Sequence, residues 1–178
     1  MEKNMETVSH VLLVDDDKDC NAANEEVFRK ANFSRIKSTL NGGHALVYLH
    51  QMSAMIKTSK LLVLLDLEMP IMDGLEFLKN FNQTPEFHKE NILIVVQANH
   101  IDDDVKEELE LLGVDYTVSK PVNFEEVNCI VKKYFSLEEQ HDEVEDIDVA
   151  GAVVENEEPV KLDSRNLKRK RARAAARR

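Results

Sequence analysis

Residues 61–74 read LLVLLDLEMPIMDG and contain the pattern that decides the fold of this chain. Five consecutive apolar residues are typical of a strand buried on both faces, as strands of parallel sheets are. The run stops at Asp66, so this carboxylate lies where the strand leaves the core. In open α/β sheets ligands bind at that edge, which favours a chemical role for Asp66 over the alternative of an acid that only ends a strand. Pro70 and the Asp73-Gly74 pair then indicate a loop before the next helix.

A second strand is predicted at His10–Val14, and it also runs into acids, namely Asp15, Asp16 and Asp17. Two buried strands with these ends would bring several carboxylates to one edge of one sheet. Such a group repels itself unless a cation neutralises it or one carboxyl group retains a proton. The predicted ligands are oxygen atoms with no His or Cys nearby, and this set suits a hard ion such as Mg²⁺.

A third predicted strand, residues 114–118, ends in Ser119-Lys120-Pro121 and adds a cation to the same edge. Carboxylates, a metal ion and a Lys are the groups that phosphoryl transfer onto a carboxylate requires. Catalysis of that reaction consists mostly of positioning and charge neutralisation. We therefore expect Lys120 and the acids to form one site.

These elements resemble the receiver domain of two-component response regulators, as in the single-domain chemotaxis regulator. The resemblance extends from Val11 to Phe135 and rests on motifs in the expected order and spacing. The motifs are VDD at 14–16, LDLEMP at 65–70 followed by DG at 73–74, and SKP at 119–121.

The resemblance implies a role for each site residue. Asp66 would be the phosphoacceptor and also a metal ligand. Asp16 would bind Mg²⁺ directly and Asp15 would bind it through a water molecule. The backbone carbonyl of Glu68 would be a further protein ligand, and Lys120 would contact the phosphoryl group.

Two positions depart from the family pattern. The Ser or Thr that usually ends the fourth strand, followed by Ala, is here Gln97 before Ala98. The switch aromatic that usually lies three residues before the Lys is here Thr117, with Tyr116 one place earlier. We expect both changes to weaken the coupling between phosphorylation and conformational change without preventing phosphorylation.

The order of predicted elements indicates the fold class. Strand and helix alternate five times with short connections, which predicts a doubly wound, five-stranded parallel sheet of flavodoxin-like order 2-1-3-4-5 with five helices. The first helix is expected at residues 17–31. Its apolar face is assigned by helical spacing to Cys20, Ala23, Val27, Phe28 and Ala31.

The composition changes after the predicted receiver domain, which spans residues 8–136. Residues 137–160 contain ten acids and no Lys or Arg, whereas residues 161–178 contain nine basic residues and one acid. Neither segment has sustained periodicity or enough apolar content to form a core. We therefore expect an acidic disordered linker at 137–160 and a basic disordered tail at 161–178.

Charge and hydropathy restrict the partners and the location. The net charge of −11 argues against a DNA-binding body, so contact with nucleic acid is open only through the basic tail. The chain has no apolar run long enough for a membrane span and no hydrophobic signal region at its start. We therefore expect a cytoplasmic protein without a membrane partner.

The sequence predicts a stand-alone response regulator in a two-component phosphorelay. It would accept a phosphoryl group from a phosphohistidine on a sensor histidine kinase or histidine phosphotransfer protein, and signal through protein–protein interaction. Beyond its own phosphorylation and dephosphorylation it would catalyse nothing. Two alternatives stay open. Gln97 and Thr117 leave room for a degenerate receiver that works as a phosphorylation-independent interaction module, and Glu68 is an imperfect match to the second acid of a haloacid-dehalogenase-like phosphatase.

Overall fold

The structure, a computed structural model, describes residues 10–87, 89–136 and 160–161. Strands and helices alternate along the chain from its first described residue. The strands are β1 (His10–Val14), β2 (Ile36–Thr39), β3 (Leu61–Asp66), β4 (Ile92–Ala98), β5 (Tyr116–Ser119) and β6 (Val160–Lys161). The helices are α1 (Lys18–Lys30), α2 (Gly42–Ile56), α3 (Gly74–Gln83), α4 (Asp103–Leu112) and α5 (Phe124–Ser136), with a 3₁₀ turn at Lys89–Asn91. None of the helices in the described ranges combines the length and apolar character that crossing a membrane needs.

One sheet runs through the middle of the domain in the order β2-β1-β3-β4-β5-β6. The first five strands are parallel, which confirms the predicted doubly wound order and the five helices. Asp66 at the end of β3 is level with Gln97 on β4, and Val14 is level with Leu65. Asp15, the residue after Val14, therefore follows in the same row as Asp66 and Gln97.

The core consists of two apolar layers, one on each face of the sheet. α2, α3 and α4 cover one face with Leu49, Phe77 and Leu109 among the buried side chains. α1 and α5 cover the other face, where Phe28 and Val127 are buried. Because β1, β3 and β4 have helices on both sides, their central residues are apolar without alternation.

β6 is a feature that the sequence pattern does not predict. Val160 and Lys161 pair antiparallel with Thr117 and Tyr116 of β5. At these two residues the structure differs from the expected disorder, because β5 ends the parallel sheet and its outer backbone groups are free to pair with another strand. Residues 137–159 and 162–178 lie outside the described residues, so the expected acidic linker and basic tail stay predictions there.

Candidate functional site

Four polar side chains lie at the carboxyl-terminal edge of the sheet and on one face of it. Side chains of a strand alternate between the two faces, so residues two apart share a face. For each of the four, the residues two and four positions earlier in the chain belong to the apolar layer beneath α1 and α5. These pairs are Val11 and Leu13 before Asp15, Leu62 and Leu64 before Asp66, Leu93 and Val95 before Gln97, and Tyr116 and Val118 before Lys120. The pleat therefore directs all four side chains to one place.

The acids and the Lys form a compact charged cluster. Carboxylate oxygens of Asp15, Asp16 and Asp66 all lie within 4.8 Å of one another. Lys120 Nζ lies 2.9 Å from Asp15 Oδ2 and 2.8 Å from Asp66 Oδ2. Asp15 and Asp66 are buried, whereas Asp16 is exposed to solvent. The structure thus brings together Asp15, Asp16, Asp66 and Lys120, four of the residues that were predicted to share a site.

Burial and charge change the acid–base behaviour of this cluster. Burial raises the pKa of Asp66 above its usual range; Lys120 opposes that change, as does a hydrogen bond from the backbone of Glu68. Burial alone would lower the pKa of Lys120, but its contacts with Asp66 and Asp15 outweigh burial and raise it. Lys120 is therefore charged at neutral pH and compensates part of the negative charge.

Asp15 is held by several hydrogen-bond donors. The backbone N–H of Asp17 donates to Asp15 Oδ1 at 2.9 Å. Gln97 Nε2 donates to Asp15 Oδ2 at 2.9 Å, and Lys120 contacts the same oxygen. Burial, followed by a hydrogen bond to Asp15, raises the pKa of the Cys20 thiol to about 12, so this thiol keeps its proton. These donors fix the orientation of the buried Asp15 carboxylate.

The loops that follow the acids are shaped by helix caps. Asp17 accepts hydrogen bonds from the first backbone amides of α1, and Asp73 does the same for α3. The backbone N–H of Gly74 donates to the Leu67 carbonyl at 3.0 Å, which holds the start of α3 against the end of β3. A side chain at position 74 would collide with this backbone, so the glycine sets how closely the loop folds beside Asp66.

The structure gives Gln97 a different neighbour from the one that the family pattern implies. The resemblance implies a short Ser or Thr side chain at this position, beside Asp66 in the row across the sheet. Here Gln97 is fully buried and its amide is bonded to Asp15 on one side and to Asn24 on the other. Its longer side chain therefore extends past Asp66 to the acid two strands away.

Thr117 and Tyr116 lie on opposite faces of β5. Tyr116 is 2% exposed and packs in the layer beneath α1 and α5, whereas Thr117 is half-buried. Since adjacent residues of a strand point to opposite faces, the Tyr116 ring cannot occupy the side of the sheet to which Thr117 points. The neighbouring aromatic residue thus does not replace the one that is missing at position 117.

Sequence reasoning missed two Asn residues of α1. The buried residues of this helix are Asn21, Asn24 and Phe28, whereas Ala23, which was assigned to the apolar face, is exposed. Asn21 Nδ2 donates to the Asp15 carbonyl at 2.6 Å, and Asn24 Nδ2 donates to Gln97 Oε1 at 3.0 Å. Their spacing relative to Phe28 is that of one helix face, which was the available signal. A polar side chain at such a position is normally assigned to solvent.

The cluster fits a hard divalent cation. All three members of the acid group offer carboxylate oxygens, and none of them is His or Cys. Lys120 compensates one negative charge, which leaves an excess that a divalent ion would neutralise. Asp16 is the exposed member of the group, so an ion can reach the site from solvent on its side. This donor set and charge match the preferences of Mg²⁺.

Comparisons with known proteins agree with this geometry. The family model for the response regulator receiver domain matches residues 11–132. Sporulation initiation phosphotransferase F of Bacillus subtilis (strain 168) is 32% identical over 127 residues, which cover 71% of this chain and 94% of that protein.

Solved structures show the same fold. A two-component response regulator from Cytophaga hutchinsonii is 26% identical, with a TM-score of 0.65 and coverage of 73% of this chain and 98% of that one. The receiver domain of a histidine kinase from Arabidopsis thaliana, complexed with Mg²⁺, is 21% identical, with a TM-score of 0.61 and coverage of 71% and 92%. The haloacid-dehalogenase-like and degenerate alternatives are not favoured by these matches. With the motifs, the sheet order and the family match in agreement, the chain belongs to the response regulator receiver domain family of two-component signalling.

Proposed function

We propose that this receiver accepts a phosphoryl group on Asp66 and that Mg²⁺ is required. One observation carries the proposal: carboxylate oxygens of Asp15, Asp16 and Asp66 lie within 4.8 Å of one another. Lys120 forms ion pairs with Asp15 and Asp66. Asp66 ends the central strand β3 and is the member of the cluster that lies between Asp15 and Gln97 in the row across the sheet. A ligand at that edge meets all the charged groups at once.

The chemistry follows from these positions. A carboxylate oxygen of Asp66 attacks the phosphorus of a phosphohistidine, the new O–P bond forms, and the P–N bond breaks with its electron pair going to the imidazole. Lys120 stays beside Asp66 and binds the oxygens of the transferred group. Mg²⁺, held by Asp15, Asp16, Asp66 and the Glu68 carbonyl, would neutralise charge on those oxygens when it is bound.

The partners follow from the same reaction. The donor would be a histidine kinase or a histidine phosphotransfer protein, since both classes pass phosphoryl groups to receivers. The output would be binding to a downstream protein. Receiver domains in general are not true enzymes, and we propose that this one catalyses only its own phosphorylation and dephosphorylation. A cytoplasmic location remains a prediction from the sequence.

The proposal is tested by intact mass after incubation with a small phosphodonor such as acetyl phosphate. We expect the gain of one phosphoryl group when Mg²⁺ is present and no gain after chelation with EDTA. The adduct should be lost on mild alkaline treatment, because an acyl phosphate hydrolyses there and a phosphoserine ester does not. A gain of mass that is unaffected by EDTA would contradict the metal requirement.

Mg²⁺ is also expected to raise the thermal unfolding temperature of the unphosphorylated protein. The ion would relieve repulsion among acids that exist as a cluster only in the folded state. At a free concentration about 100 times its dissociation constant, an ion bound to the native state alone contributes about 2.7 kcal/mol of stability. Differential scanning fluorimetry would measure the shift, with NaCl at matched ionic strength as the control. An equal shift with NaCl would show that screening, not binding, is responsible.

A further inference from the structure

We infer that Gln97 is a positioning residue for Asp15, and that Asn24 orients Gln97 for this purpose. The side chain at this atypical fourth-strand position bonds to Asp15, a proposed metal ligand, rather than to Asp66, the proposed phosphoacceptor. This inference rests on the proposed function, because it concerns how the acid cluster receives a cation.

The first observation is the reach of Gln97. β3 lies between β1 and β4, and adjacent strands are about 4.8 Å apart, so the strands that carry Asp15 and Gln97 are about 10 Å apart. Gln97 Nε2 nevertheless lies 2.9 Å from Asp15 Oδ2. A Ser or Thr hydroxyl is too short to cross that distance from β4. The Gln side chain therefore makes a contact that the usual residue at this position does not make.

The second observation is the direction of the Gln97 amide. Asn24 Nδ2 donates to Gln97 Oε1 at 3.0 Å, and Gln97 Nε2 donates to Asp15. If the oxygen and nitrogen of the Gln97 amide exchanged places, the oxygen would face the carboxylate oxygen of Asp15 and the nitrogen would face the Nδ2 donor of Asn24. Both Gln97 and Asn24 are fully buried, so water does not compete for these groups. The network accordingly allows one orientation.

The third observation is how the two oxygens of Asp15 are shared. Oδ1 is held by the backbone N–H of Asp17, and Oδ2 is held by Gln97. Lys120 also contacts Oδ2, but Lys120 is shared with Asp66. Its positive charge would also be drawn to the oxygens of a bound phosphoryl group. Without Gln97, Oδ2 would lose its amide donor and would depend more on this shared ammonium group. Gln97 is thus a neutral donor to Oδ2 that, unlike Lys120, is not shared with Asp66.

The test measures Mg²⁺ binding to the unphosphorylated protein by isothermal titration calorimetry. Gln97→Met keeps the size of the side chain and removes the donor. We expect its dissociation constant for Mg²⁺ to rise about tenfold or more, as is typical when a residue that orients a ligand is lost. Asn24→Ala should raise it by a smaller factor, because Gln97 remains but is no longer oriented. The double variant should bind no more weakly than Gln97→Met alone.

A control variant separates positioning from general loss of stability. Asn82→Ala removes another partly buried amide, whose Nδ2 donates to the Leu112 carbonyl far from the acids. It should lower the unfolding temperature without changing the affinity for Mg²⁺. If Gln97→Met behaves in the same way, with lower stability and unchanged Mg²⁺ affinity, Gln97 is merely structural and the inference is wrong.

A second readout needs no metal ion. In NMR spectra of the metal-free protein, the side-chain amide signals of Gln97 should move in Asp15→Asn and in Asn24→Ala, and stay in place in Asn82→Ala. Unmoved signals in Asp15→Asn would overturn the inference directly. If the wild-type protein binds no Mg²⁺, the proposed function fails. The amide signals then decide whether Gln97 orients Asp15.

Discussion

Asp66→Asn is expected to abolish the gain of one phosphoryl group while leaving the fold intact. The amide has nearly the shape of the carboxylate, so the packing at the end of β3 should persist. The Asn amide is not a nucleophile towards phosphorus, and the positions of the other two acids of the cluster do not let them replace Asp66 as the acceptor. Asp15 is tied to backbone and side-chain donors, and Asp16 lies at the exposed margin. Intact mass after incubation with acetyl phosphate and Mg²⁺ measures the result.

Asp102→Asn is the matched control for this change. Asp102 precedes α4, its side chain is 77% exposed, and it makes no side-chain capping bond. The same chemical substitution there should leave phosphorylation unchanged. Phosphorylation of Asp66→Asn at the wild-type level would show that another residue is the acceptor, and fragment masses would identify it.

Gly74→Ala is expected to destabilise the domain by about 3 kcal/mol or more, at the upper end of the range for overpacking. A Cβ atom at this position would collide with the carbonyl oxygen of Asp66 and would lie 2.8 Å from the Cα of Leu67. Both neighbours are backbone atoms of the turn that follows the candidate acceptor, and backbone cannot rotate aside as a side chain does. Urea unfolding monitored by circular dichroism would give the free energy of unfolding.

Gly43→Ala is the control for the effect of adding a methyl group to a helix. Gly43 lies in the first turn of α2, and the nearest atom to an added Cβ is Asn41 Oδ1 at 3.3 Å. Alanine is favoured over glycine in a helix by about 1 kcal/mol, which offsets a small adjustment of the Asn41 side chain. Gly43→Ala should therefore stay within about 1 kcal/mol of wild type. An equal decrease in the free energy of unfolding in both variants would contradict the steric explanation for Gly74.

Much of the candidate site could be predicted because its residues stand at the ends of buried strands. An apolar run that stops at a carboxylate places that carboxylate at the sheet edge, whatever the rest of the chain does. Asp15, Asp66 and Lys120 were all found in this way, and the structure joins them by ion pairs of 2.9 and 2.8 Å. The strand order followed from the same reasoning, since these ends meet only if β1, β3 and the later strands are neighbours.

The partners of polar side chains could not be predicted, because they depend on distances between strands and helices. Gln97 and Asp15 are 82 positions apart in the chain, and Asn24 and Gln97 are 73 apart. A pattern in the sequence indicates that a residue is buried, but it does not say which donor faces which acceptor. The expectation that Gln97 weakens the conformational switch followed from the family resemblance, which does not say what the Gln side chain contacts.

The sequence by itself determined the alternation of strands and helices, the sheet order and the edge at which the acids and Lys120 collect. These features depend on local hydrophobicity and on where each apolar run ends. Only the tertiary structure decided that Tyr116 points away from the side of Thr117, that Val160 and Lys161 extend the sheet, and that Gln97 reaches Asp15. The physical reason is that the face, edge and reach of a side chain are properties of packed elements, which exist only after the chain has folded.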